Sequence, residues 1–231
     1  MKYIMLPEQK EHRLSFYLAM EEYVARSLDE PDAFFLWQVA PTVIYGRNQV
    51  VQNEVNLDYC REHGIQVVRR KSGGGCVYAD MDNLMLSFIT AEDHVGLAFN
   101  RFLGMLLLVL RKAGVEAVGT RHNDILVDGR KVCGTACYHL AGKSILHSTL
   151  LYDTNMEHML HAITPDAEKL QKKGVESVRQ RITLLKDYTV LTLEELKTLI
   201  RETLCEDERM LTSTDVSEIE KIDRLWQLSK N

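Results

Sequence analysis

The chain has no long apolar run, no basic excess and no cysteine framework, and each lack closes off a class of function. Its most apolar window, Phe102–Leu110, is bounded by Arg101 and Arg111. That is far shorter than the roughly 20 residues a membrane helix needs. No apolar run of signal-peptide length follows Lys2, so the first ten residues do not read as a signal peptide. The formal net charge of −5 argues against a dedicated nucleic-acid binder. Five cysteines, Cys60, Cys76, Cys133, Cys137 and Cys205, are odd in number and show no disulfide spacing. A cytoplasmic location is therefore expected. Cys133 and Cys137 have no second Cys/His pair at finger-like spacing, so they read as small buried strand residues and not as metal ligands. Repeats, low-complexity tracts and long linkers are also missing. The charged segment Glu206–Arg209 is the one stretch with hinge character, and it does not justify a domain boundary.

What remains is an ordinary globular composition, 45% hydrophobic and 26% charged over 231 residues. A single domain spanning residues 1–231 is expected, α/β (α+β) in class, with a mixed, largely antiparallel sheet flanked by helices. Leu14–Leu28 reads as an amphipathic helix stopped near Pro31. Strands are expected at Ala33–Val39, Val43–Tyr45, Ile65–Arg70, Leu84–Thr90 and Ser144–Tyr152. Phe99–Ala113 reads as a long buried helix closed by Gly114. Asp128-Gly129, between Ile125-Leu126-Val127 and Lys131-Val132-Cys133, is a strong hairpin signal. Thr192-Leu193-Glu194-Glu195 is a capping box. From about residue 191 to 228 the tail reads as two amphipathic helices without strand content.

Arg69-Arg70-Lys71-Ser72-Gly73-Gly74-Gly75 is the densest chemical signal. Glycines let backbone N–H groups approach a ligand, and successive N–H groups form an anion-binding concavity. Adjacent cations add charge, with arginine's fork suited to phosphate or carboxylate. Basic residues also gather at Arg130–Lys131 and Lys169–Lys173. A local basic pocket on an acidic protein suits a small anionic ligand. Strand-like residues follow the glycines, which excludes the Walker loop and the dinucleotide fingerprint, since both open a helix. A second cluster is Arg121-His122-Asn123-Asp124, then Lys131 across the hairpin. Asn123 and Asp124 offer hard oxygen donors for a nucleotide's Mg²⁺, or they serve only as turn formers.

Together these segments resemble the lipoate–protein ligase A family. Arg69 to Tyr78, with Asp80 and Asn83, is similar to the signature RRxSGGGxVxxDxxN. Arg121–Asp124 with Gly129–Ala136 resembles RND…GxKxSGxA. His147-Ser148-Thr149-Leu150-Leu151 matches HxTLL. Lys173-Gly174-Val175 and Ser177–Ile182 match the KG(I/V)xSVRxRV box, while Trp37 and Gly46-Arg47-Asn48-Gln49 fit the early strands. Two positions depart from the pattern: Ala79 stands where the family has histidine, and Asp82 where it has glycine.

The resemblance implies the biotin/lipoate ligase catalytic-domain fold and a two-step reaction. Lipoate is activated by ATP and Mg²⁺ to lipoyl-AMP, and the acyl group then passes to a lysine of a lipoyl domain. Lys131 is implied as the catalytic residue. Arg70, Ser72, Gly73, Gly74, Gly75, Asn83, Gly134, Thr135 and Ala136 are implied at the adenylate. Trp37, Val77 and His147 are implied at the acyl chain. Asn123 and Asp124 would serve the nucleotide, with Asp124 nearest the metal. The partners implied are lipoyl domains of 2-oxoacid dehydrogenase complexes or the glycine-cleavage H protein, with no nucleic acid or membrane. Full ligases of the family carry a C-terminal accessory domain, and no counterpart is read here. A separate accessory chain, or a preference for preformed lipoyl-AMP, is therefore an expectation. The alternatives are an octanoyl or lipoyl transferase, a biotin ligase and a non-catalytic lipoate binder. Transferase relatives place a cysteine after a proline or just before the Arg121 segment. Here Asp166 follows Pro165, and no cysteine precedes Arg121. The glycine-arginine signature of biotin ligases is absent.

Overall fold

The computed structural model describes residues 1–8, 10–163 and 181–228. In chain order the strands are β1 (Lys2–Met5), β2 (Asp32–Trp37), β3 (Thr42–Tyr45), β4 (Gln66–Arg69), β5 (Val77–Ala79), β6 (Leu84–Thr90), β7 (Val118–Gly119), β8 (Asp124–Val127), β9 (Arg130–Leu140), β10 (Lys143–Leu150) and β11 (Asp207–Met210). The helices are α1 (Leu14–Ser27), α2 (Val51–Glu54), α3 (Leu57–Glu62), α4 (Val95–Lys112), α5 (Met156–Ala162), α6 (Leu193–Leu204) and α7 (Ser213–Leu228). A large sheet runs β11-β1-β2-β6-β10-β9-β8-β7, and a small one β4-β3-β5. Pairing is antiparallel from β2 through β7 and parallel at β11-β1-β2 and β3-β4. No helix among the described residues is long and apolar enough to cross a membrane.

Period-2 alternation divides the large sheet into two faces. On one face Phe35, Trp37, Met85, Ile89 and Ile145 pack against α1 and α7. On the other Phe34, Leu86, Phe88 and Leu146 pack against α4 and α6. His147, Ser87 and Trp37 are consequently brought together beneath α1. The small sheet closes a third apolar cluster with α3 and α5, built on Val43, Tyr78, Cys60 and Met159.

Several expectations change. Helix α1 is not amphipathic: every residue from Leu14 to Ala25 is buried, because the sheet lies on one side and α7 on the other. Helix α4 starts at Val95, a turn earlier than expected, with His94 as N-cap accepting from the Leu97 amide. Only one stripe of it is buried, and Leu97 and Leu108 are exposed. The tail does contain a strand. Glu206–Arg209 is no hinge but runs into β11, which pairs in parallel with β1. Its sequence, Asp-Glu-Arg-Met, is mostly exposed charge, the pattern of an edge strand shielded against further pairing. The capping box at Thr192 and Glu195 forms as read. So does the tight hairpin, with Asp128 at φ 49° and Gly129 at φ 73° as a type I′ turn requires. Thr164-Pro165-Asp166, the Lys169–Lys173 cluster and the motif residues from Lys173 through Gln180 lie outside the described residues.

Candidate functional site

A cavity of about 190 Å³ opens where the two sheets meet. One end is apolar, formed by Leu18, Trp37, Ile44, Val77 and Met85. The other is polar, bordered by Gly74, Gly75, His122, Asp124 and Lys131. Drug-sized ligands occupy roughly 300–1,000 Å³, so this space suits a slim chain with a bulkier group left at the mouth.

The glycine loop links β4 to β5, and Arg70 builds its shape. The buried guanidinium donates to the carbonyls of Ile44 (3.1 Å), Gly73 (2.7 Å) and Gly75 (2.6 Å) and to the Ser72 hydroxyl (3.0 Å). Four of its five N–H donors are therefore engaged by the loop and by β3. Arg70 thus fixes the backbone that faces the cavity. Gly74 sits at φ 91°, where side chains are strained. Gly46 faces it, and a Cβ there would strike the Gly74 carbonyl oxygen. That close approach gives the Gly46-Arg47-Asn48-Gln49 motif its physical reason. The Gly46 amide donates to the Gln49 side chain (2.7 Å), and the Arg47 amide to the Ser72 carbonyl (2.9 Å).

Lys131 reaches the same cavity because β9 carries a bulge. Ile125 pairs with Cys133 and Leu126 with Lys131, so Val132 is extra. Val132 and Cys133 both enter the core beneath α4, and Lys131 is turned to the cavity. One inserted residue reverses the facing of everything before it. Lys131 Nζ pairs with Asp124 Oδ1 at 2.8 Å, both partly exposed. Its side chain lies across Gly134, where a Cβ would stand 2.7 Å from Nζ. The Lys131 carbonyl accepts from the Thr183 amide (3.0 Å), tying the end of the last motif to the hairpin.

Behind the cavity lies a buried polar hub that sequence reasoning missed. Glu21, fully buried on α1, accepts from Ser87 (2.6 Å) and meets His147 Nδ1 (3.1 Å). Trp37 donates its indole N–H to Ser87 (2.8 Å), so the hub fixes the floor of the apolar end. His147 Nε2 contacts Ser72 Oγ at 2.7 Å. Since a carboxylate only accepts, in the neutral ring the His147 Nδ1 proton faces Glu21 and Nε2 accepts from the Ser72 hydroxyl. Glutamate, histidine and serine here have the order of a nucleophile relay. Ser72 is fully buried and does not border the cavity, so the relay braces the loop. Burial, with Glu21 and Glu22 nearby, holds the Tyr138 phenol well above its ordinary value. The available signal was Glu21-Glu22 within an otherwise apolar helix, since buried carboxyls require partners.

Of the residues expected at the site, Trp37, Arg70, Gly74, Gly75, Val77, Asp124, Lys131, Gly134, Thr135, Ala136 and His147 border the cavity. Ser72 and Gly73 act one layer behind it through Arg70 and His147. Asn83 stands apart and donates to Thr154 (2.9 Å), while Asp80 accepts from Thr154 and from the Asn155 amide (2.8 Å). These two signature residues stitch the β5–β6 turn to the start of α5. Asn123, at φ 62°, is a turn former whose carbonyl accepts from the Thr135 amide. Leu18, Ile44 and Met85 border the cavity unannounced by the sequence reading, and so do Cys76, His122, Ser148 and Thr149, which lay within its motifs without an assigned role. Burial pushes the Cys76 thiol up to about 12, with Arg70 opposing.

Asp124 is the only carboxylate among the described residues bordering the cavity. No group of three metal-ligating side chains occurs among the described residues. The donor set thus fits a cation brought by a nucleotide, not one caged by protein.

The model of the lipoyl protein ligase A/B catalytic domain matches residues 14–205. The chain is 39% identical over 184 residues to the lipoate-protein ligase LplJ of Bacillus subtilis, covering 78% of this chain and 56% of that protein. It is 36% identical over 221 residues to lipoate–protein ligase 1 of Staphylococcus aureus, covering 90% and 67%. In structure it is similar to the bi-partite lipoate protein ligase of Thermoplasma acidophilum, with a TM-score of 0.83 at 23% identity, covering 96% of this chain and 91% of that one. The chain spans little more than half the length of the Bacillus relative.

Proposed function

The chain belongs to the lipoyl protein ligase A/B catalytic-domain family, and from that premise we propose that it is an ATP-dependent lipoate–protein ligase whose site is the cavity between the glycine loop and the Lys131 hairpin. The observation that carries this reading is the two-ended cavity. Its apolar side chains suit a lipoyl chain, and the same cavity is bordered by Lys131 and by Gly74 and Gly75 of the glycine loop.

In the first step a lipoate carboxylate oxygen attacks the α-phosphorus of ATP and pyrophosphate leaves. In the second, the amine of an acceptor lysine attacks the acyl carbonyl and AMP leaves. Both steps build negative charge on oxygen at the mouth, where fixed N–H donors and a cation lower the barrier. Lys131, aimed by Asp124 and seated on Gly134, supplies the cation. Gly74 and Gly75 supply backbone groups held in place by Arg70. Asp124, set at the mouth by the Asn123 turn, would face a Mg²⁺ carried by the nucleotide, which would supply neutralisation of phosphate charge. Trp37, Val77 and Met85 grip the acyl chain, with His147 and Glu21 holding Trp37's side of the wall.

The acceptors in this reading are lipoyl domains of 2-oxoacid dehydrogenase complexes or a glycine-cleavage H protein. The chain works as one catalytic domain that a separate accessory protein can assist. The test is mass gain of a lipoyl-domain acceptor, with lipoate and Mg·ATP in one arm and octanoyl-acyl-carrier protein without ATP in the other. Gain only in the first arm supports the ligase. Gain only in the second identifies a transferase. Binding of lipoate with gain in neither identifies a carrier.

A further inference from the structure

Lys71 has no part in the mechanism above, yet it stands between Arg70 and Ser72, and its side chain points away from the cavity to the far side of α1. There its ammonium pairs with Glu22 Oε1. It also lies over the indole of Trp226, 4.4 Å from the ring centroid. The Trp226 N–H donates to the same Glu22 oxygen at 2.7 Å. Glu22 is buried, whereas Lys71 is half exposed. Three elements therefore meet at one carboxyl oxygen: the glycine loop, α1 and the end of α7. Two further links hold α7 to α1: Arg13 with Asp223 at 2.6 Å, and the Tyr23 hydroxyl with Asp215.

The arrangement is costly to break in parts. Removing Lys71 or the indole N–H leaves a buried carboxyl short of a partner, which is penalised more heavily than losing an exposed pair. The backbone next to Lys71 has little play. Ser72 touches His147 on one side, and its carbonyl accepts from the Arg47 amide on the other. A shift at Lys71 is passed directly to the loop that faces the cavity mouth.

We propose that Trp226, with Glu22, latches Lys71 to α7 and so acts as a positioning residue for the glycine loop, setting how well the mouth binds the nucleotide. The acyl end takes its side chains from α1, β2, β3, β5 and β6 and none from the loop that the latch holds, so the latch acts on the mouth more than on the acyl end. The kinetic part of this inference rests on the ligase reading, but the structural part does not.

The test uses the full chain with Trp226→Phe, Trp226→Leu, Lys71→Met and the Lys71→Met/Trp226→Leu pair. Phenylalanine keeps a ring beneath Lys71 and loses only the N–H, so it guards against loss of folding. Exchange of the Arg47 amide, which reports the Ser72 carbonyl, is followed by NMR. Cation–π and charge-assisted contacts of this kind predict about a tenfold faster exchange in Trp226→Leu and Lys71→Met, and less in Trp226→Phe. The pair should exceed neither single variant, because both break one latch. In turnover, KM for ATP should rise about tenfold while KM for lipoate stays within about twofold. Additive effects in the pair, an unchanged Arg47 amide, or equal rises in both KM values would each overturn the latch. If the parent chain transfers no lipoyl group, the exchange measurement still decides the latch, and only the ligase reading fails.

Discussion

Replacing Gly134 with alanine separates the placement of Lys131 from the stability of the fold. The added Cβ would stand 2.7 Å from Lys131 Nζ and 2.8 Å from its Cε. Such contacts are too short to persist, so something must move. The movable party is the tip of a flexible side chain, while Gly134 itself lies in regular β9 pairing with Thr149. The stability change should be small. A glycine replaced at an unstrained position gains about 0.4–1 kcal/mol from the unfolded state. Weakening a partly exposed ion pair such as Lys131–Asp124 costs about 0–1 kcal/mol. The two nearly cancel, and the midpoint of thermal unfolding should move by no more than a few degrees. Catalysis is far more sensitive, since a displacement near 1 Å at a reacting centre can cost about 100-fold. The assay is lipoyl transfer followed by mass spectrometry alongside a thermal melt. An unchanged melt with a rate down about 100-fold is expected. A full rate would refute the seating of Lys131 on Gly134. A collapsed fold would refute the claim that only the side-chain tip yields.

The cysteines should be dispensable: burial pushes Cys76 and Cys133 up to about 12 and Cys137 to about 11, so little thiolate exists at neutral pH. Each serine variant should retain measurable transfer, and an acyl group trapped on any cysteine of the parent would contradict this. Burial acts to raise the Asp32 pKa, but the forked hydrogen bonds and charge of Arg101 outweigh it and hold Asp32 below its ordinary 3.8. A depressed acid stabilises the fold above its unfolded pKa and loses that contribution as pH falls through the folded one. Melting should therefore be level in this contribution above about pH 5 and decline below about pH 4, and Asp32→Asn should flatten the decline; an identical acid profile in the variant would reject the assignment. Transfer from synthetic lipoyl-AMP should outpace the route from lipoate and ATP, because the second step aligns one bound adenylate and one amine while the first aligns three reactants. Equal rates at equal acceptor concentration would oppose that.

The elements that position the site were legible where pattern and chemistry coincide. Asp128-Gly129 fixed the hairpin because its turn demands two left-handed residues, and Thr192 with Glu195 marked a helix start by reciprocal capping. The glycine loop could be placed between strands, since Val77 and Leu84–Phe88 do not alternate as a helix does. Other features depend on partners distant in the chain. Strand β1 and strand β11 are four residues each and gain their identity from pairing, β11 with β1 and β1 with both β11 and β2. The bulge at Val132 is invisible to alternation, which would bury Lys131 on the Cys133 face. Arg70 reads as a free cation until the carbonyls of Ile44, Gly73 and Gly75 surround it. Asn83 carries a signature position yet serves the turn to Thr154.

The ligase account stands most directly on Lys131. The measurement is single-turnover lipoylation of a lipoyl-domain acceptor by the parent chain and by Lys131→Ala, with lipoate and Mg·ATP, the fold of each checked by its thermal melt. The account predicts one lipoyl group added to the acceptor by the parent and none by the variant, at closely similar melting temperatures. A variant that lipoylates at near the parent's rate, or a folded parent that adds nothing, would contradict it.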